Sequence, residues 1–338
     1  MILMGWDLLG HDWAVNLLRA HIAHGDVRHA YLFSGPAGVG RRTLAIRLAQ
    51  ALNCPDPIEA GLPCRKCRTC RQIENMQHAD LFVVQADKEG GILKVDQIRE
   101  LQHSLSLHPY EARYKIAILL RFEEANANAM NALLKTLEEP APQVKLLLTA
   151  ESPEHLLPTI VSRCELIRLR PLPLEQVEAG LMAQVGIEME QARLLAHISG
   201  GRPGFAIRLA ADPIIMEERT EWLNELRRLL SASIVERFDF AEGLGKDKER
   251  MRSALIVWLS FWRDIVLKAA GAAAPIANLD WQEMVASIAA DLGLLEAGRM
   301  VSVVERAVTL LERNVNPRLV AEVLMLDLPQ FSIKPAPA

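Results

Sequence analysis

Hydrophobic positions over the first 170 residues fall into two alternating kinds of run. Short continuous apolar stretches predict buried strands: AYLFS (30–34), DLFVVQA (80–86), YKIAILL (114–120), VKLLLTA (144–150) and CELIRLRPL (164–172). Between them the apolar residues recur at helical spacing. HDWAVNLLRAHIAHG (11–25) ends at Gly25, and RRTLAIRLAQALN (41–53) puts Leu44, Leu48 and Leu52 on one stripe. KVDQIRELQHSLSLHP stops before Pro109, EEANANAMNALLKTLEEP is stopped by Pro140, and a short helix follows from Pro153. Strands alternating with helices predict an α/β domain with a largely parallel sheet over residues 1–171.

From Leu172 onward the strand pattern disappears. LEQVEAGLMAQVG and EQARLLAHISGG read as helices separated by Gly186, and Pro203 opens another, giving a small helical unit over 172–211. Residues 212–338 carry long helical patterns, MEERTEWLNELRRLLS, KERMRSALIVWLSFWRDIVLKAAG, LLEAGRMVSVVERAVTLLERNV and PRLVAEVLMLDL, which predict an all-α third domain. The final KPAPA is expected to fray.

Composition narrows the function classes. A length of 338 residues suits two or three domains, and 50% hydrophobic residues can bury a substantial core. Charged residues make up 24% with a net charge of −4, so any nucleic-acid footprint has to be local. The start MILMGWDLLGHDW lacks the basic and apolar regions of a signal peptide. No apolar run approaches the roughly 18 residues of a membrane span, which predicts a cytoplasmic protein without membrane contact.

Three constellations carry chemistry. The first is GPAGVGRRT (35–43), placed between a strand and a helix like a phosphate loop. Gly35 and Gly40 keep the spacing of G-x-x-x-x-G-K-[ST], with Gly38 inside it. The phosphate-binding lysine and the metal-binding hydroxyl are replaced by Arg41 and Arg42, and Thr43 stands one step further round the helix. Backbone N–H groups there can still cradle an anion, so nucleotide binding stays open while hydrolysis is not expected. The second is Cys54-x9-Cys64-x2-Cys67-x2-Cys70. In a reducing compartment such clustering points to metal rather than disulfides, and four sulfurs leave no open position for substrate. Structural zinc is the expectation, with an iron–sulfur cluster as the chemical alternative. The third is Arg163 in TIVSRC (159–164), between a short helix and the last strand, where it can reach a neighbouring molecule or be a plain surface arginine. Cys164 is expected to be buried, and His29 to pack or hydrogen-bond rather than catalyse.

Together, HAYLFSGPAGVG, the four-cysteine insertion, NALLKTLEEP and LLLTAESPEHLLPTIVSRC resemble the AAA+ subunits of the bacterial DNA polymerase III clamp loader over residues 1–210. Beyond that stretch the likeness is one of helical content and length. The resemblance implies a RecA-like AAA+ domain (1–171) with a zinc module (54–70), a helical lid (172–211) and an all-α collar (212–338). Counting back from NALLKTLEEP, the acidic pair of a hydrolysing member falls on Leu120 and Arg121. Glu123 and Glu124 lie beyond the strand and are expected to start the next helix, as charges favoured by its dipole. Hydrolysing members place a sensing arginine near Gly204, and here Arg202 is close but out of register. These departures resemble the delta-prime subunits, with hydrolysing gamma/tau subunits as the alternative. What is then implied is a stator with no ATPase of its own, in a hetero-pentamer with gamma/tau and delta subunits, meeting sliding clamp and primed DNA through that complex. Zinc would sit on Cys54, Cys64, Cys67 and Cys70, and Arg163 would serve in trans as an arginine finger.

Overall fold

The computed structural model describes residues 6–88, 90–313 and 315–331; the start MILMG and the tail KPAPA lie outside them. Five strands form one sheet: β1 Ala30–Ser34, β2 Leu81–Val84, β3 Lys115–Leu119, β4 Val144–Ala150 and β5 Glu165–Arg168. Their spatial order is β2-β3-β4-β1-β5, and every pairing is parallel. A parallel sheet needs a crossover between successive strands, and helices cover both faces. This explains the unbroken apolar runs: β1, β3 and β4 are buried along their whole lengths. The register aligns Leu148 of β4 with Leu32 of β1 and with Leu119 of β3, so the three strand ends that carry site residues lie side by side.

The helices of this region are α1 Asp12–Ala23, α2 Arg41–Asn53, α3 Arg68–Glu74, α4 Val95–Leu105, α5 Ala127–Glu138 and α6 Pro158–Val161. The α2 stripe of Leu44 and Leu48 packs with Tyr31, Phe33 and Ile118 on one face of the sheet. Leu101, Leu133 and Leu137 of α4 and α5 pack with Leu32, Leu119 and Leu148 on the other. One expectation needs correcting. Glu123 and Glu124 do not start α5; they sit in a 3-10 turn, Phe122–Glu124, and Ala125 is extended. The helix begins two residues later because Asn126 caps it, its side chain accepting from the N–H of Ala129. Cys164, expected buried, is largely buried, packed against the sheet core.

Beyond β5 all regular structure among the described residues is helical: α7 Leu174–Val185, α8 Met189–Ser199, α9 Pro203–Ala211, α10 Pro213–Ser231, α11 Ile234–Leu244, α12 Lys248–Ala269, α13 Gln282–Glu312 and α14 Pro317–Asp327. Gly293 interrupts α13 with φ 72° and ψ 172°. The chain divides into two compact units: positions up to Gly180 with Gly201–Phe205, and Leu181–Gly200 with positions from Ala206 onward. The second has its own core, built on Trp258, Phe261 and Trp262 of α12 against Val285, Met300 and Val304 of α13. Its polar interior is paired. Arg219 makes a two-pronged bond to Asp280 at 2.7 and 2.8 Å. Buried Arg237 on α11 donates to the carbonyls of Leu229, Leu328 and Pro329 at 2.7–2.9 Å and to that of Met325 at 3.3 Å, collecting carbonyls at or just beyond the ends of α10 and α14. Within the described residues no helix is long and apolar enough to cross a membrane.

Candidate functional site

The glycine loop joins β1 to α2, and its glycines are required by geometry. Gly35, Gly38 and Gly40 all have positive φ, at 146°, 82° and 113°. A Cβ on Gly35 would lie 2.2 Å from the carbonyl oxygen of Leu169, and one on Gly38 would lie 2.8 Å from Cβ of Phe205. The loop therefore packs tightly against both the chain after β5 and the start of α9. There Gly204 donates its N–H to the carbonyl of Gly38 at 2.8 Å, and a Cβ on Gly204 would come within 2.9 Å of that oxygen. The Arg202 guanidinium lies over the Phe205 ring, 4.7 Å from its centroid.

The loop's two arginines differ. Arg42 is exposed, with its Nη2 3.4 Å from the sulfur of Met76. Arg41 is buried and turned inward, its Nη1 3.8 Å from a carboxylate oxygen of Glu123. That carboxylate also accepts the N–H of Glu151 at 3.1 Å. Burial lowers the pKa of Arg41 and raises that of Glu123, while their mutual attraction opposes both shifts. At 3.8 Å the two attract without a hydrogen bond, and Nη1 of Arg41 and Oε2 of Glu123 have no partner.

The adjacent strand end is equally altered. Leu120 is buried in the core, and Arg121 adopts a left-handed backbone with φ 48°. Arg121 donates its N–H to Thr149 at 2.9 Å and its Nε to Glu124 at 2.9 Å. Glu124 also accepts the N–H of Gly90 at 2.8 Å. Thus the two acids beyond β3 are engaged by Arg41, at the lysine position of G-x-x-x-x-G-K-[ST], and by Arg121, where the resemblance leads one to expect an acid. Sequence reasoning assigned Glu123 and Glu124 to a helix dipole and missed this. The available signal was compensation: two cations gained at 41 and 121, with two anions close behind β3.

The cysteine cluster lies between α2 and α3. Sγ atoms of Cys54, Cys64, Cys67 and Cys70 all lie within 4.8 Å of one another, and those of Cys54 and Cys64 are 3.6 Å apart. Zinc–sulfur bonds of about 2.3 Å in a tetrahedron require sulfurs roughly 3.8 Å apart, so the donor set fits a four-coordinate ion. Backbone N–H groups of Cys64, Cys67 and Cys70 each point at the preceding cysteine sulfur at 3.4 Å, an arrangement suited to thiolates. The module is fastened to the core at several points. Trp6 donates to the carbonyl of Gly61 at 2.9 Å, and Gln50 donates to that of Cys70 at 2.8 Å.

Arg163 stands just after α6, and its side chain is 34% exposed. Nη1 donates to the carbonyl of Thr159 at 2.8 Å, and Nη2 meets Glu138, the last residue of α5, at 2.7 Å. His29 is a half-buried packing residue whose pKa is lowered first by burial. The Cys164 thiol is pushed up to about 12 by burial. The loop and the 3-10 turn are thus brought together, whereas the cysteine cluster is a separate structure.

Several DNA polymerase III subunits resemble this chain in sequence. A family model described as "DNA polymerase III, delta subunit" matches residues 10–173. The delta-prime subunit of DNA polymerase III from Bacillus subtilis is 33% identical over 257 residues, covering 75% of this chain and 76% of that protein. This chain belongs to the family of DNA polymerase III clamp-loader subunits. The delta-prime subunit of Pseudomonas aeruginosa is 37% identical over 62% of its length. The tau subunit of Escherichia coli is also 37% identical, but the chain spans only 32% of it. A solved gamma subunit-related protein of Thermotoga maritima superimposes with a TM-score of 0.50, 16% identity, and coverage of 92% of this chain and 97% of that one. That likeness supports the AAA+ fold expected for this clamp-loader subunit.

Proposed function

We propose that this clamp-loader subunit works as a delta-prime-like stator: it hydrolyses no ATP and presents Arg163 to the nucleotide of an adjacent gamma/tau subunit. The observation that carries the reading is the Arg41–Glu123 pair. The chain's own carboxylate lies 3.8 Å from the guanidinium that replaces the phosphate-binding lysine. Bringing triphosphate to Arg41 would set another anion beside Glu123 in a poorly hydrated place, where like charges repel most strongly. Leu120 and Arg121 offer no carboxylate for a magnesium ion's water shell, and Arg42 offers no hydroxyl. The glycine turn then serves as scaffold, seating α2 on the sheet and taking the backbone of Gly204 against Gly38.

Four thiolates would hold zinc in a closed structural site that stiffens the segment between α2 and α3. In this reading the partners are gamma/tau and delta subunits, and the assembly acts on sliding clamp and primed DNA. Within it the chain contributes a fixed surface bearing a planar, permanently charged fork. Charge that develops on a transferring phosphoryl group is stabilised by such a donor, an effect worth about 10³–10⁵ in rate in GTPases.

Two measurements test this. The purified chain should release no phosphate from ATP above background, and Arg41→Lys alone should not restore turnover, because the metal-holding groups are still missing. Turnover at the level of a tau subunit, lost on changing Arg41, would establish the hydrolysing gamma/tau reading instead. Reconstituted with gamma/tau, delta and clamp, Arg163→Ala should assemble normally and lower DNA-stimulated hydrolysis in part, since one of several sites is affected. Arg163→Lys should do nearly the same, having lost the fork. Hydrolysis at the unmutated rate in a correctly assembled Arg163→Ala complex would return Arg163 to an ordinary surface role.

A further inference from the structure

The ion pair between Arg163 and Glu138 joins two elements, the loop after α6 and the final turn of α5. Its position argues against a role in stability. The side chains are 34% and 50% exposed, and pairs in that setting contribute little to stability. The geometry is nevertheless specific. Glu138 takes Nη2 at 2.7 Å and the Thr159 carbonyl takes Nη1 at 2.8 Å, so both arms of the guanidinium are held and its plane is set. Nη1 also lies 3.5 Å from the Ser162 hydroxyl, so the second N–H of Nη2 and that of Nε are left for an incoming oxygen.

His29, immediately before β1, lies beside the backbone of both Leu137 and Arg163. Burial, then the nearby Lys145, keeps its ring toward the neutral form, so it acts as a spacer rather than a competing cation.

We propose that Glu138 is a positioning residue for Arg163, fixing the guanidinium fork in the orientation in which it meets a neighbouring subunit's phosphoryl group. This rests on the trans-acting reading of Arg163 given above. A free arginine side chain samples many rotamers, a freedom that would otherwise be lost on reaching the transition state. A side chain already held in place avoids most of that loss, and the benefit appears in the chemical step.

The test uses the full chain reconstituted with gamma/tau and delta subunits, clamp and primed DNA. The readout is the part of ATP hydrolysis that Arg163→Ala removes. Glu138→Ala is expected to lower kcat for that part by about 3–10-fold with KM for ATP unchanged, because misplacement of a catalytic group weakens the transition state rather than substrate binding. Glu138→Gln should recover at least half, since its amide oxygen still accepts from Nη2. Glu138→Ala added to Arg163→Ala should cause no further loss, and neither variant should move the melting temperature. If Glu138→Ala weakens assembly, Glu138→Gln paired with Arg163→Ala carries the comparison, its effect again vanishing in the double variant. Full hydrolysis by Glu138→Ala in a complex where Arg163→Ala is impaired would overturn the positioning role and leave the finger standing. So would losses that multiply in the double variant. A silent Arg163→Ala would instead remove the reading beneath.

Discussion

One zinc ion per chain is expected after purification under thiol protection, and removing it should unravel residues 54–74 before anything else. Structural zinc contributes about 10–16 kcal/mol of apparent binding free energy in small peptides. Without the ion the cysteine module is held by few apolar anchors, chiefly Leu62, Cys70 and Ile73, and by the hydrogen bonds to Gly61 and Cys70, while Ile58 is 59% exposed. The larger sheet core does not depend on metal, so the loss should be local unfolding rather than global. Chelation, or Cys67→Ser, should expose protease sites between Cys54 and Glu74 while the α12–α13 core keeps its protection from hydrogen exchange. Elemental analysis without zinc in protein that keeps four reduced thiols would count against the site. Visible absorption from iron and sulfide would select the iron–sulfur alternative.

Arg237→Met should destabilise the helical unit by about 3 kcal/mol or more. The guanidinium is 4% exposed and serves the carbonyls of Leu229, Met325, Leu328 and Pro329 together. Removing it leaves buried acceptors without donors, at about 1–3 kcal/mol for each one fully desolvated. Arg237→Lys should be little better, because a single ammonium cannot reach carbonyls distributed around a planar fork. Denaturant titration of the full chain, followed by tryptophan fluorescence from Trp258 and Trp262, reads the change. A shift below about 1 kcal/mol would mean that the helix ends find other donors or water.

The sequence revealed the sheet readily because a parallel sheet covered on both faces forces continuous apolar runs, as in KIAIL and VKLLLTA. Helices with a single apolar stripe were equally legible. The pattern did not reveal α11, whose residues IVERFDFAEGL mix apolar and charged positions. Its start was nonetheless signalled by Ser233 and Glu236, which form a reciprocal capping box. The first half of α13 escaped because Gly293 separates it from the clearer second half. At the glycine loop, sequence identified what was missing but not what replaced it. The approach of Arg41 to Glu123 depends on where β1 and β3 end relative to each other, which no local pattern encodes. The Glu138–Arg163 pair was hidden for the same reason, joining the ends of two helices separated by β4.

The contact between Gly204 and Gly38 also has a bearing on descent. Hydrolysing relatives are expected to carry an arginine near position 204, and here even a methyl group would press on the Gly38 oxygen at 2.9 Å. An arginine acquired there would disturb the loop before it could sense a nucleotide. A lysine restored at 41 would leave Glu123 facing a new cation, with no carboxylate at 120 or 121 for magnesium. Each step back toward hydrolysis is thus useless or harmful until the others are present. Single substitutions offer no graded route of return, so under the stator reading proposed above a lineage carrying this loop is committed to lending its arginine to a neighbour's chemistry.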